Sequence, residues 1–159
     1  MATNTVYRAS SAEVCDLFSD YLDGDGSRPA LVLSAAVADA AAKNAIEKSL
    51  EAFNYPFNSC TYVTIFPHDR SIEGGDVAID AESLFLLVEG IDPLCLFALD
   101  RQSCELLAAA YRLKLDVNSS TRVFGRPSAL FDDLSQLVTT PTGKQTAWKL
   151  FKRTLSSPR

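Results

Sequence analysis

Apolar residues along this chain change their spacing several times, and each change marks a boundary between elements. Ser10-Ser11-Ala12-Glu13 has the spacing of a capping box, and Val14, Leu17, Phe18, Tyr21 and Leu22 then fall on one helical face, which predicts a first helix. Asp23-Gly24-Asp25-Gly26-Ser27 interrupts it as a turn, and Pro29 to Ser34 is a short continuous apolar run suited to a buried strand. A helix follows from about Asp39 to Phe53. It is alanine-rich at its start, carries Ile46, Leu50 and Phe53 on one face, and is stopped by Asn54-Tyr55-Pro56. Cys60 to Phe66, rich in β-branched and aromatic residues, predicts a second strand.

The alternation then continues. Pro67 to Gly75 reads as a polar loop containing the single histidine, His68, and Asp80 is placed to cap a helix through Leu84, Leu87 and Val88 to Gly90. Pro93 to Leu99 predicts a third buried strand, and Asp100 caps a helix with Leu106, Leu107, Ala110 and Tyr111 on its inner face. Thr121 to Phe124 predicts a fourth, short strand. Thr140-Pro141 opens the last helix with proline at its favoured first position, and Ala147, Trp148, Phe151 and Leu155 form its expected inner stripe. Strands that are apolar throughout and alternate with helices imply a parallel sheet covered on both faces. The expected fold is therefore α/β, a three-layer αβα sandwich with a mainly parallel four-stranded sheet. One domain is expected over residues 1–159, with an N-terminal helix and turn at 1–27 and the core at 28–155.

Composition adds limits to that picture. A chain of 159 residues, 47% hydrophobic and 22% charged, is long enough to bury a proper core. Its most apolar stretch, Leu84 to Leu99, is cut by Glu89, Asp92 and Pro93, and its N-terminus lacks a basic region followed by an apolar one. Neither a membrane span nor a signal peptide is expected, and a cytoplasmic location follows. Cys15, Cys60, Cys95 and Cys104 are scattered without a C-x-x-C pair, so they read as reduced, mostly buried thiols, and no metal site is expected.

The net charge of −5 conceals an asymmetry. Residues 141–159 contain Lys144, Lys149, Lys152, Arg153 and Arg159 and no acid, so a +5 tail is attached to a −10 body. A phosphate backbone is one partner for such a helix. The favoured reading is a solvated helix face whose cations complement the helix dipole and the acidic body, because that body repels nucleic acid.

Three local motifs stand in a characteristic order: Tyr62-Val63-Thr64 in the second strand, Arg126-Pro127-Ser128-Ala129-Leu130 after the fourth, and Lys144-Gln145-Thr146-Ala147-Trp148-Lys149-Leu150 in the last helix. Over residues from about Arg28 to Leu155 the chain resembles a reduced member of the uracil-DNA glycosylase-like superfamily. The corresponding family motifs are Tyr-Val-Thr-Asn, His-Pro-Ser followed by a small or apolar pair, and Lys-x-x-Ala-Trp-x-x-Leu. The resemblance implies that family's fold and argues against its chemistry. Ser34-Ala35-Ala36-Val37-Ala38 lacks the family's glycine-proline pair and water-activating acid, with Asp39 a few residues on, and the base-reading asparagine position is Ile65. The catalytic histidine position is Arg126, whose permanent charge cannot replace a neutral imidazole. The cysteines do not match the iron–sulfur ligands of some relatives, and no cofactor is expected. The superfamily also includes a small accessory subunit of the bacterial replicative polymerase that works by protein contacts.

Open parallel sheets bind ligands beyond the carboxyl ends of their strands. The expected elements place there Asp39, His68, Asp69, Arg70, Asp100, Arg101, Arg126 and Ser128, which as one cleft would suit a phosphate or carboxylate. The competing reading is a solvated rim of ion pairs, with Asp69 and Asp100 neutralising two of the arginines. Ser128 lacks the Gly-x-Ser-x-Gly context of a nucleophile and reads as the cap of a short helix through Leu134; Gly74-Gly75 reads as a turn. Trp148 reads as core; Tyr55 and Phe57 are the better candidates for exposed aromatic contacts, with packing the favoured role for both. No residue is assigned a catalytic role. A noncatalytic interaction or scaffold protein with a protein partner is favoured over a nucleotide- or nucleic-acid-directed enzyme using Arg126, His68 and Asp39; nucleic-acid contact, if made, falls to Lys144, Lys149, Lys152 and Arg153. Oligomeric state is not readable from the sequence.

Overall fold

Three of the apolar runs become parallel strands covered on both faces. The computed structural model describes residues 12–66 and 78–156. His68, Asp69, Arg70, the Pro67 to Gly75 loop with Gly74-Gly75, the Ser10-Ser11 cap and Arg159 lie outside the described residues. The elements are α1 (12–17), β1 (Leu22–Asp23), β2 (Ala30–Ser34), α2 (Ala40–Ala52), β3 (Cys60–Thr64), α3 (Ala81–Ile91), β4 (Cys95–Ala98), α4 (Arg101–Tyr111), β5 (Ser119–Val123), β6 (Arg126–Leu130), α5 (Leu134–Leu137) and α6 (Pro141–Leu155). No helix among the described residues is long and apolar enough to cross a membrane.

The strands lie in the order β1-β3-β2-β4-β6-β5. The inner four are parallel, and β1 and β5 close the edges as antiparallel strands. Successive side chains of each inner strand enter opposite cores, which is why these strands show no polar alternation. Leu31, Leu33, Val63, Leu96, Ala98 and Leu130 face α1, α3 and α4. Ala30, Val32, Tyr62, Phe97, Ala129 and Phe131 face α2, α5 and α6. On the second face Phe151 packs against Phe97 and Phe131 with ring centroids 5.3 and 5.1 Å apart. Truncating such a fully buried ring to alanine costs about 3–5 kcal/mol.

The sheet is mixed and six-stranded, a correction to the expected mainly parallel four-stranded one. The expected fourth strand is the edge strand β5, and the parallel strand is β6, built from the segment read as a motif beyond the strand. Phe124 and Gly125, with φ of +49° and +83°, form the two-residue turn between them. Positive φ at both central residues is the hairpin geometry that matches strand twist, and Gly125 supplies one of them without strain. Phe124 is a bulky residue in the left-handed region, which hid the turn from a propensity reading. Pro127 faces Arg122 next to the Val123–Arg126 pair that closes the hairpin, so its missing N–H removes no bond to β5.

The first helix is also shorter than expected. It ends at residue 17, a 3₁₀ turn spans Ser19–Tyr21, and Leu22–Asp23 pairs with Tyr62 and Val63. Leu17 is 72% exposed and does not join the core face. The other helices start where their caps stand. Asp39, Asp80, Asp100, Asp133 and Thr140 accept from the backbone N–H groups of Ala42, Ser83, Ser103, Gln136 and Gly143 at 2.7–3.1 Å. Helix α3 runs past Gly90 to Ile91, with Asp92 in the left-handed position after it; Gly90 instead lies against Val14, where a Cβ would meet the Val14 side chain at 2.7 Å. In α6, Thr140 caps and Pro141 follows as expected. A Cβ on Gly143 would sit 1.7 Å from the Leu137 carbonyl oxygen, so only glycine permits the close approach of α6 to the end of α5.

Candidate functional site

The carboxyl ends of the parallel strands hold acids whose oxygens are already engaged by backbone. Strand order reverses between β2 and β4, the position where open α/β sheets form their ligand crevice. Asp100, directly after β4, bridges that position. One carboxylate oxygen accepts from Ser103 N at 2.9 Å and the other from Ala35 N, beyond β2, at 2.8 Å. Asp100 N in turn donates to Ser103 Oγ at 3.3 Å, so α4 begins in a reciprocal cap. The turns beyond β4 and β6 are stitched by Arg101 N to Asp132 O at 2.9 Å and Leu134 N to Leu99 O at 2.8 Å. Asp39 and Asp133 cap α2 and α5. Arg101 Nε pairs with Asp132 at 2.8 Å, and both side chains remain largely solvated.

Arg126 and Ser128 do not belong to this edge, which corrects the expected cleft. Arg126 opens β6, so the strand carries it to the amino end of the parallel sheet, about 16 Å along the chain from Phe131. Its side chain is only 10% exposed and lies between the end of α3 and the hairpin. Nη1 donates to Glu89 Oε2 at 2.7 Å and Nη2 to Asp92 Oδ1 at 2.8 Å, while Tyr111 Oη donates to the same Glu89 oxygen at 2.7 Å. Burial alone would lower the guanidinium pKa, but the hydrogen bonds to Asp92 and Glu89 outweigh it and the net shift is upward. For the Tyr111 phenol burial acts in the opposite direction and raises the pKa, reinforced by its bond to Glu89. Arg126 Nε has no partner among the described residues. Ser128 is fully buried in β6 and its hydroxyl donates to Arg126 O at 2.9 Å; Asp133, not Ser128, caps the short helix.

Helix α6 presents its cations to solvent, with Lys144, Lys149, Lys152 and Arg153 all exposed. Its inner face is Gly143, Ala147, Leu150, Phe151 and Thr154, one position round from the expected stripe. Trp148 is therefore not core: it is 40% exposed and leans on Phe53, with ring centroids 6.0 Å apart. Together α2 and α6 enclose a groove of about 290 Å³, lined by Ala41, Ala45, Lys48, Lys144, Ala147 and Trp148 among others. A second depression, near Phe57, shares Asn44 and Lys48 with it. Phe57 is 88% exposed, against the packing role favoured for it, whereas Tyr55 is half-buried.

The thiols offer no nucleophile at either edge. Cys60, Cys95 and Cys104 are buried and Cys15 is half-buried, with no disulfide among the described residues. Burial pushes the Cys60 and Cys104 thiols up to about 12. Two features escaped the sequence reading altogether. The acids at Glu89 and Asp92 gave no sign of converging on Arg126, because the hairpin that brings it there was not recognised. The α2–α6 groove gave none because it depends on two helices lying side by side. Compared with known proteins, the chain matches no family model, and no curated protein matches it significantly.

Proposed function

We propose that this chain is a noncatalytic interaction protein built on a glycosylase-like fold. The observation that carries the reading is the location of Arg126: the residue standing for the family's catalytic histidine is locked between Glu89 and Asp92 at the amino end of the sheet. A guanidinium held by two carboxylates is a structural cation, and it lies at the wrong end of the strands to meet a ligand at the crevice. At the crevice itself, Asp100 is bound to Ala35 and Ser103 N–H groups, which leaves it no role as a base. Four parallel strands in the order β3-β2-β4-β6, flanked by helices on both faces, support the glycosylase-like assignment, although the Arg126-Pro127-Ser128 motif sits within a strand instead of beyond it. Exposed Trp148 on an apolar groove, with exposed Phe57 in the adjoining depression, supports a role in binding partners.

The test is release of uracil from single- and double-stranded uracil-containing DNA. No release is expected. Release that disappears in Asp39→Asn, which keeps the α2 cap while removing the acid that follows the family's water-activating position in the chain, would overturn the noncatalytic reading.

A further inference from the structure

We propose that the groove between α2 and α6 receives an acidic peptide segment of a partner protein, seated by one bulky apolar side chain. This rests on the interaction-protein reading and names its surface and partner chemistry.

The groove follows from residue size. Ala41 and Ala45 on α2 face Ala147 on α6, and side chains ending at Cβ leave a trough where larger ones would close the seam. Trp148 forms one wall and rests on Phe53. The volume, about 290 Å³, is at the lower limit of small-molecule pockets, which run about 300–1,000 Å³, so it suits one large side chain. The trough continues past Asn44 and Lys48 toward Phe57, giving it the length of a peptide contact. Trp is among the residue types that dominate binding energy at interfaces, and Phe is enriched in them.

Charge selects the partner. Lys48 on α2 and Lys144 on α6 are the charged residues lining the groove, one on each bank, and neither has an ion-pair partner among the described residues. In a chain of net charge −5, a largely apolar seam whose two charged lining residues are both cations is complementary to a hydrophobic anchor flanked by carboxylates. The Phe57 depression also holds Glu47 and Glu51, so the acid requirement applies to the anchor's surroundings and not to the whole segment. Nucleic acid fits less well. By helical geometry Lys149 and Arg153 lie about 140–180° round α6 from Lys144, so the four cations do not form one track for a phosphate backbone.

Trp148 is the single tryptophan, so its emission reports on this groove directly. The experiment is selection of a phage-displayed 12-residue random library on the full chain, followed by titration of the selected peptides against Trp148 emission. Enrichment of Phe, Trp, Leu or Ile flanked by Asp or Glu is expected, with a saturable emission change. Affinity should fall about tenfold or more in Lys48→Glu with Lys144→Glu, both exposed positions, and be lost in Ala41→Phe, which fills the trough from its exposed bank. Circular dichroism of each variant checks that it is folded. Four results would overturn the proposal: no enrichment, basic consensus peptides, displacement of the peptides by a single-stranded oligothymidylate in a lysine-dependent manner, or a Trp148 emission change on diluting the protein alone, which would assign the face to a second copy. Failure here without uracil release removes only the groove; uracil release removes the noncatalytic reading itself.

Discussion

The two ends of the parallel sheet use charged residues in opposite ways. At the amino end, Arg126 is withdrawn from water and answered by two side-chain carboxylates, one of which also takes the Tyr111 hydroxyl. At the carboxyl end, Asp39, Asp100 and Asp133 are answered by backbone N–H groups at helix starts, and Arg101 stays in solvent. A backbone donor is supplied by the fold, so each cap is satisfied as soon as its helix forms. A side-chain ion pair needs several elements to arrive together, here α3, α4 and the β5–β6 hairpin. The amino end should therefore be the more fragile under mutation, and the carboxyl end the more tolerant.

The largest effect is expected at Glu89. Glu89→Ala removes the acceptor of both Arg126 Nη1 and Tyr111 Oη and leaves a buried guanidinium that cannot lose its proton, with only the exposed Asp92 opposite. Breaking a buried pair in this manner costs about 3 kcal/mol, read as a lower urea midpoint at unchanged slope. Glu89→Gln combined with Arg126→Met should recover most of the loss, because glutamine still accepts from Tyr111 and no unpaired charge remains. A Glu89→Ala variant as stable as the parent would break the contrast between the two ends.

Asp100 should show the strongest effect at the carboxyl end and still fall below Glu89. Asp100→Ala removes the α4 cap and the tie to Ala35 N, for about 2 kcal/mol in the same urea measurement. Asp100→Asn keeps one acceptor oxygen and should lose roughly half as much. A larger loss for Asp100→Ala than for Glu89→Ala would reverse the ranking.

What the sequence revealed followed the same division. Helix starts were legible at Asp39, Asp80, Asp100 and Thr140, because a cap and the N–H it binds lie within three residues. The inner strands β2, β3 and β4 were legible from their unbroken apolar runs. The β5–β6 hairpin was not, since its turn places Phe124 in a conformation that phenylalanine rarely adopts and its second strand carries Pro127. That single misreading displaced Arg126 from one end of the sheet to the other and produced a cleft that the chain does not form around it. Strand β1 was hidden because two residues are too few to show a period. Trp148 was misplaced because Trp148 and Leu150 flank the Ala147–Phe151 stripe on opposite sides, and α6 turns the Leu150 side inward.

The smallest effect is expected at Arg101, and it tests whether the carboxyl end is a rim or a site. Its guanidinium lies 2.8 Å from Asp132 with the two side chains 60% and 45% exposed, a geometry in which solvent screens most of the attraction. Arg101→Ala should change stability by no more than about 0.5 kcal/mol. An anion site would behave differently. If Arg101 helped to hold a phosphate at the crevice, phosphate would raise the thermal midpoint of the parent over chloride at matched ionic strength, and Arg101→Ala would abolish the rise. With Asp132 already on the guanidinium and Asp100 closing the gap between β2 and β4, no such rise is expected in either protein. A phosphate-dependent shift lost in Arg101→Ala would turn the tolerant end of the sheet into a binding site.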